Sequence, residues 1–429
     1  MNENITPAEH LKGTLSMPPD KSIAQRATIF SLLSKETSVI ENYPVAEDPQ
    51  TALRCVEQLG ARVERSDRQI TISGIGRNGI KIPDDVIDCG NSGTVMRLLS
   101  GIVAGSGISA VLTGDASLSG RPMKRIIDPL AKMGAVIKAA EGGFPPLVFE
   151  KRVRPLQPIK FRLPVASAQL KSCVLLAGLF GRDATQVIES VPSRNHTETM
   201  LRLPVTVSAG ETVISSRRAI EIPAQTLAIP GDFSAAAFWL VAGSITKNSN
   251  ISITGTGVNP TRCAALHILR RMGADITINN ERKSGEEPVA DLKVRSARLN
   301  PVEIRPDEIP NAIDELPVLS VAMAFADGVS RITGAEELRF KESNRLAAIE
   351  AILTSTGVKV EAQEDGITIY GNPDRIVQSA RHDSCHDHRI AMSAAILSLK
   401  ADGVSEVWNA DAAAVSYPEF WSDIDILSS

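Results

Sequence analysis

Lys21-Ser22-Ile23-Ala24-Gln25-Arg26 follows Pro18-Pro19-Asp20 and opens a run with helical spacing of apolar residues, Ile23, Ala27, Phe30 and Leu33. A helix N-terminus already carries partial positive charge, so cations in its first turn cost stability. Two basic side chains and a hydroxyl crowd into this one, which makes sense where an anion completes the site. The arrangement recurs along the chain. Asp88-Cys89-Gly90-Asn91-Ser92-Gly93-Thr94 precedes the run Val95–Leu99, and Gly90 and Gly93 permit close backbone approach to an anion. Gly120-Arg121-Pro122-Met123-Lys124-Arg125 sets three cations around a helix start, with Pro122 suited to the first helical position. Ser167-Ala168-Gln169-Leu170-Lys171-Ser172 puts hydroxyls, an amide and a lysine at the mouth of an apolar helix, and Ser193-Arg194-Asn195-His196-Thr197 repeats the theme. Singly, each is an ordinary capped turn or a solvated basic face. Together they point to small anionic ligands.

Acid–base groups lie further on. Asp314-Glu315 stands just before the apolar run Val318–Phe325. Carboxylates there normally cap a helix; held among cations, either is a candidate for proton transfer. Lys341-Glu342-Ser343-Asn344-Arg345 is expected to open another helix, with Glu342 and Arg345 as i,i+3 neighbours. The plain reading of that pair is a surface contact worth a few tenths of a kcal/mol. His382-Asp383-Ser384-Cys385-His386-Asp387-His388-Arg389 holds half of the six histidines. Its spacing does not match the zinc fingers, and Arg389 would sit beside the metal, so no metal is expected. Asp387-His388 instead caps a helix over Ile390–Leu397 while Arg389 faces the anion site. Gly74-Ile75-Gly76-Arg77-Asn78-Gly79 fits G-x-G-x-x-G, but the extended Ile80-Lys81-Ile82-Pro83 follows it where a dinucleotide site needs a helix.

The elements that position these residues repeat. Leu53–Leu59-Gly60, Ile126–Met133-Gly134, Ala265–Met272-Gly273 and Leu346–Thr356-Gly357 each read as an amphipathic helix closed by glycine, and an alternating strand follows each. Met200–Leu203 before Val205-Thr206-Val207 is a fifth, degenerate copy with Pro204 at its cap, and the two chain ends supply a sixth. Copies this long are not solenoid repeats, so a closed or pseudo-symmetric α/β (α+β) arrangement is expected. At 429 residues the chain should form two or more domains, with 43% hydrophobic residues and few aromatics to make an aliphatic core. The net charge of −4 and the lack of a basic tract exclude non-specific nucleic-acid binding. Five widely spaced cysteines without C-x-x-C fit a reducing compartment. Neither a leader-like apolar stretch nor a membrane span is legible, so a cytoplasmic protein is expected.

The segments in order resemble the 5-enolpyruvylshikimate-3-phosphate (EPSP) synthase family, one of the enolpyruvyl transferases, over Leu11 to about Trp421. The resemblance rests on P-x-x-K-S-x-x-x-R at Pro18–Arg26, G-N-S-G-T-x-x-R at Gly90–Arg97, S-A-Q-x-K-S at Ser167–Ser172 and R-x-H-T-E at Arg194–Glu198. It continues through D-E-x-P at Asp314–Pro317, K-E-S-x-R at Lys341–Arg345 and D-H-R-I-A-M at Asp387–Met392. It implies a two-lobed, inside-out α/β barrel with three copies of the helix–strand unit in each lobe. It also implies lobes of residues 1–19 with 230–429 and of residues 20–229, joined by two crossings and able to close around substrate. The implied reaction joins phosphoenolpyruvate (PEP) to the 5-hydroxyl of shikimate-3-phosphate and releases phosphate, on the way to chorismate and the aromatic amino acids. No cofactor, metal, membrane or nucleic acid is implied, and a monomer is expected.

By motif position, shikimate-3-phosphate contacts are expected from Lys21, Ser22, Arg26, Ser167, Ala168, Gln169, Ser193, Asp314 and Lys341. PEP contacts are expected from Lys21, Asn91, Gly93, Arg121, Gln169, Arg345 and Arg389. Asp314 is the implied base, Glu342 the implied partner at C3 of PEP, and Lys21 the stabiliser of departing phosphate; the two carboxylates are interchangeable at this stage. The chain departs from many relatives at Pro19, Leu98, Ala168 and Val415, where those relatives have Gly, Pro, Ser and Lys. Two rival readings stand beside this one. A UDP-N-acetylglucosamine enolpyruvyl transferase would carry Lys-Asn at Lys21-Ser22 and a reactive cysteine within Asp115–Arg121, and neither is present. A non-catalytic module for a phosphorylated metabolite would not need carboxylates such as Asp314 and Glu342 aimed at its ligand.

Overall fold

The computed structural model describes residues 1–429. The chain divides into two compact units, one of Met1–Pro18, Pro230–Lys283 and Pro288–Ser429, the other of Pro19–Ile229 with Ser284–Glu287. Each unit holds three inner helices. They are Phe233–Ile245, Leu316–Ala324 and His388–Ser398 in the first, and Lys21–Leu33, Gly93–Ser106 and Ala168–Gly178 in the second. These helices are apolar on nearly every face, and Phe233–Ile245 is buried along its whole length. A helix hydrophobic all round belongs inside a core. The three of the first unit pack on one another. In the second, a Cβ on Gly101 would run into the carbonyl oxygen of Cys173, so glycine sets how closely Gly93–Ser106 lies against Ala168–Gly178.

Around the inner helices stand small mixed sheets, five of four strands and one of three. One of the four-stranded sheets shows the pattern. Glu303–Ile304 runs parallel to Val329–Ile332, which is antiparallel to Ile367–Tyr370, which is antiparallel to Val360–Ala362. An inner helix joins the first two strands in sequence, and an outer helix, Arg345–Ser355, joins Val329–Ile332 to Val360–Ala362. The three-stranded sheet is the copy shared by the chain ends: Glu3–Ile5 pairs antiparallel with Ser405–Trp408, which lies parallel to Arg381–Asp383.

The glycine-closed helices end as their sequences predict. Gly60, Gly134, Gly273 and Gly357 all have positive φ, from 81° to 109°, the left-handed cap that glycine adopts without a Cβ penalty. The degenerate copy is corrected: its left-handed residue is Arg202, at φ 50°, and not Pro204. The strands before the two crossings stay behind in their own unit. Lys12–Ser16 pairs parallel with Asn250–Gly257, although the next helix in sequence is Lys21–Leu33. Thr226–Ala228 likewise pairs with Thr37–Glu41 before the chain runs on into Phe233–Ile245.

Candidate functional site

The expected ligand-binding residues gather at the N-terminal ends of the inner helices. Five of these ends in the two units are closed by the side chains of Asp20, Ser92, Ser167, Asp232 and Asp387, each accepting a first-turn N–H. Such caps hold the first turn open to a ligand with its remaining N–H groups exposed.

In the second unit, Asp20 accepts from the N–H groups of Ser22 and Ile23 at 2.8 and 2.9 Å. Lys21 lies 3.5 Å from Asp48 and is partly exposed. Arg26 is buried, donates through Nη1 to the Ser22 carbonyl at 3.1 Å and approaches Thr197 Oγ1 at 3.4 Å. Burial lowers its pKa to about 10, with Asp20 opposing the shift, so it remains a cation at neutral pH. Gln25 donates to Ser92 Oγ at 2.9 Å and ties this helix start to the next. Gln169 joins two more: its Oε1 accepts from Arg97 at 2.6 Å and its Nε2 donates to Thr94 at 2.9 Å. Arg121 donates through Nη2 to Asn91 Oδ1 at 2.9 Å and to Ser117 Oγ at 3.0 Å. The Ala168 carbonyl accepts from Ser172 Oγ at 2.6 Å, and Ser167 is spent partly on its cap.

Ser193 rests on a buried ionic group. Its N–H donates to Glu189 at 3.2 Å and its hydroxyl also donates to Glu189. Lys171, wholly buried, holds Glu189 at 2.9 Å, Glu198 at 2.7 Å and the Ser193 carbonyl at 3.3 Å. Burial raises the Glu198 pKa, and Lys171 offsets part of that rise.

In the first unit the site is a lattice of arginines and carboxylates. Arg345 is 1% exposed and holds Asp387, itself at 0%, through Nε at 2.8 Å. It also holds Glu342 at 2.6 Å and lies 3.7 Å from Asp314. Asp387 caps the helix that carries Arg389 and accepts from Ser343 Oγ at 3.0 Å. Arg389 donates to the Asp314 carbonyl oxygen at 2.8 Å, and its Nε lies 3.8 Å from the Asp314 carboxylate. Glu315, buried, pairs with Arg262 at 3.1 Å. Burial is the largest influence and pushes the Glu342 pKa up, but Arg345, a backbone N–H and Arg389 together outweigh it and the net shift is downward, so Glu342 is ionised at neutral pH. Asp387 behaves alike: burial raises its pKa, Arg345 lowers it, and the result lies below the usual value.

Thus the structure brings Lys21, Ser22 and Arg26 together on one helix start, Asn91 onto Arg121, and Gln169 onto the helix of Gly93. In the first unit it brings Asp314, Glu342, Arg345 and Arg389 together. Lys341 pairs with Glu337 at 3.1 Å. Three local expectations are corrected. Lys341 and Glu342 do not open a helix: they precede Asn344, the N-cap of Arg345–Ser355, because that side chain accepts from the Ala347 N–H. Pro122 lies outside its helix, Lys124–Lys132, whose N-cap is Met123. Nor is the Glu342–Arg345 pair a surface contact, since Arg345 is fully buried. Sequence reasoning left Arg97, Asp115 and Lys171 without roles; the first and last stand inside motifs already singled out.

A sequence model of the EPSP synthase (3-phosphoshikimate 1-carboxyvinyltransferase) family matches residues 5–424. A 3-phosphoshikimate 1-carboxyvinyltransferase from Salinibacter ruber is 47% identical over 431 residues, covering 100% of both chains. Another from Parasynechococcus marenigrum is 43% identical and covers 97% of this chain and 96% of its own. An EPSP synthase structure from Acinetobacter baumannii superposes with a TM-score of 0.89 at 37% identity, over 99% of this chain and 98% of that one. The enolpyruvyl transferase NikO from Streptomyces tendae superposes at 0.74 with 16% identity, covering 99% and 96% of the two chains, a likeness of fold alone. The fold is therefore the one found in enolpyruvyl transferases. Within it, the chain belongs to the EPSP synthase family.

Proposed function

We infer that this protein transfers the carboxyvinyl group of PEP to the 5-hydroxyl of shikimate-3-phosphate and releases phosphate, in the shikimate pathway. The observation that carries this is family membership across nearly the whole chain, at 47% identity to a relative of that name. Phosphate release by the purified protein, measured with each substrate omitted in turn, tests it. Release that needs both substrates is expected; release with either alone, or with neither, overturns it.

The residue roles are our proposal, and the chemistry divides between the two units. The second unit supplies cations and hydroxyls: Lys21, Ser22, Arg26, Ser167, Gln169 and Ser193 for shikimate-3-phosphate, Asn91, Gly93 and Arg121 for PEP. Two polyanions repel, and fixed cations that need no reorganisation offset that repulsion in the transition state. The first unit supplies proton transfer: Asp314 takes the proton from O5 as it attacks C2 of PEP, and Glu342 protonates C3. The tetrahedral intermediate then loses phosphate, steadied by Lys21, while a C3 proton returns to Glu342. Arg345 and Arg389 receive the PEP carboxylate. This explains how an ionised Glu342 comes to act as an acid: a substrate anion on Arg345 weakens the influence that holds its pKa down. Lys341 contacts shikimate-3-phosphate. We propose a cytoplasmic monomer; no helix is long and apolar enough to cross a membrane.

Two outcomes follow. Arg389→Lys should raise the KM for PEP about tenfold, because a point cation cannot hold a carboxylate and the Asp314 carbonyl at once as a planar fork does. An unchanged PEP KM would count against the role. Glyphosate should inhibit competitively with PEP, and Gly93→Ala should weaken both. The added Cβ would sit 2.7 Å from Arg97 Nη1 and 3.7 Å from Arg121 Nη1, displacing the Arg97 tip from Gln169. Steady-state kinetics showing the same inhibition in wild type and variant would remove that idea.

A further inference from the structure

Asp115 lies between two of the proposed PEP contacts without having been given a role. Its loop is laid against the Gly90–Gly93 turn: the Asp115 N–H donates to the Gly90 carbonyl at 2.9 Å. Gly114 leaves no room for a side chain, since a Cβ there would meet that same carbonyl oxygen at 2.7 Å. The two carboxylate oxygens of Asp115 do different work. Oδ1 accepts from the Leu118 N–H at 2.8 Å and caps the short helix Ala116–Ser119. Oδ2 accepts from Asn91 Nδ2 at 2.7 Å.

The second bond decides which way the Asn91 amide faces. With Nδ2 on the carboxylate, Oδ1 is turned to Arg121 Nη2, 2.9 Å away. The flipped amide would set an oxygen against a carboxylate and an NH2 against a guanidinium, two acceptors and then two donors in contact. The cap also fixes the turn bearing Ser117, whose hydroxyl is the other acceptor for Arg121 Nη2 at 3.0 Å. Both acceptors of that nitrogen thus depend on Asp115. With Nη2 anchored, Arg121 Nε and Nη1 are left for a ligand, and Nη1 is directed toward Gly93.

We propose that Asp115 is a positioning residue for the PEP side of the site: it locks the Asn91 amide and, through it, the guanidinium plane of Arg121. This rests on the proposed role of Asn91 and Arg121. Asp115→Asn is the discriminating variant. Its Oδ1 can still cap Leu118, but an NH2 replaces the oxygen that Asn91 needs. The KM for PEP should rise about tenfold, with the KM for shikimate-3-phosphate within twofold of wild type and the melting temperature unchanged. An unchanged PEP KM, or equal rises in both constants, would overturn the proposal. A second readout does not depend on turnover. In 15N-edited spectra, the Asn91 side-chain amide, assigned by its loss in Asn91→Ser, should have one proton shifted downfield by the carboxylate and should return to a solvated position in Asp115→Asn. An Asn91 amide unaffected by the substitution overturns the positioning role even in a protein inactive toward these substrates. An inactive wild type with the expected amide shift faults the assigned function and leaves the Asn91 lock standing.

Discussion

Asp314→Ala is expected to lower kcat by about a thousandfold, while shikimate-3-phosphate binding stays measurable by calorimetry. Loss of a positioned general base removes about two to four powers of ten, and here the base also begins the step that forms the C–O bond. The fold should tolerate the change. Asp314 is 21% exposed, and its carboxylate stands 3.7 Å from Arg345 and 3.8 Å from Arg389. The close contact from Arg389 goes to the Asp314 carbonyl oxygen at 2.8 Å, which alanine retains. Arg345 keeps Asp387 and Glu342. Activity should therefore fall without a matching loss of melting temperature. A variant that turns over at near the normal rate would move the base to Glu342, and Glu342→Gln would then show the larger loss.

Arg345→Met should remove activity and stability together. Taking one partner from a buried ion pair costs about 3–5 kcal/mol, because the other charge is left in the interior. That other charge is Asp387, at 0% exposure, left with the Ser343 hydroxyl and the Arg389 N–H. For a unit of this size the loss lowers the melting temperature by on the order of 10 °C. The deficit should depend on pH with a definite sign. In the native protein Arg345 holds the Asp387 pKa below its usual value, which contributes stability above the carboxylate range and loses it as pH falls through the folded pKa. Without Arg345, burial becomes the dominant influence and raises that pKa. The folded variant then takes up a proton more readily than the unfolded chain, so its deficit shrinks as pH is lowered from 7 toward about 4. Adding Asp387→Asn should recover most of the stability, since an amide oxygen still caps the Arg389 N–H, and none of the activity. Recovery of phosphate release in the double variant would show that Arg345 serves the fold and not the substrate.

What was legible in the chain was what neighbouring residues decide among themselves. Asp387 caps the helix of Arg389, as its sequence reads, because a short polar side chain reaches an N–H only two residues on. Gly60, Gly134, Gly273 and Gly357 end helices because the left-handed conformation is a property of one residue and its missing Cβ. Those local rules expose the repeat, and the repeat with its polar helix starts carries the family resemblance.

Packing decided the rest. Arg345 looked like half of a surface pair because its i,i+3 neighbour is a carboxylate; its burial against Asp387 comes from an element 42 residues away. Lys171, with Glu189 and Glu198, and Asp115, with Asn91 and Arg121, are joined across 18 to 30 residues of intervening chain. The parallel pairing of Lys12–Ser16 with Asn250–Gly257 spans far more. A cap is worth about the same in any protein that contains it. A buried charge has no such fixed value: its partner, its protonation and the direction in which it points depend on which distant segments exclude water around it.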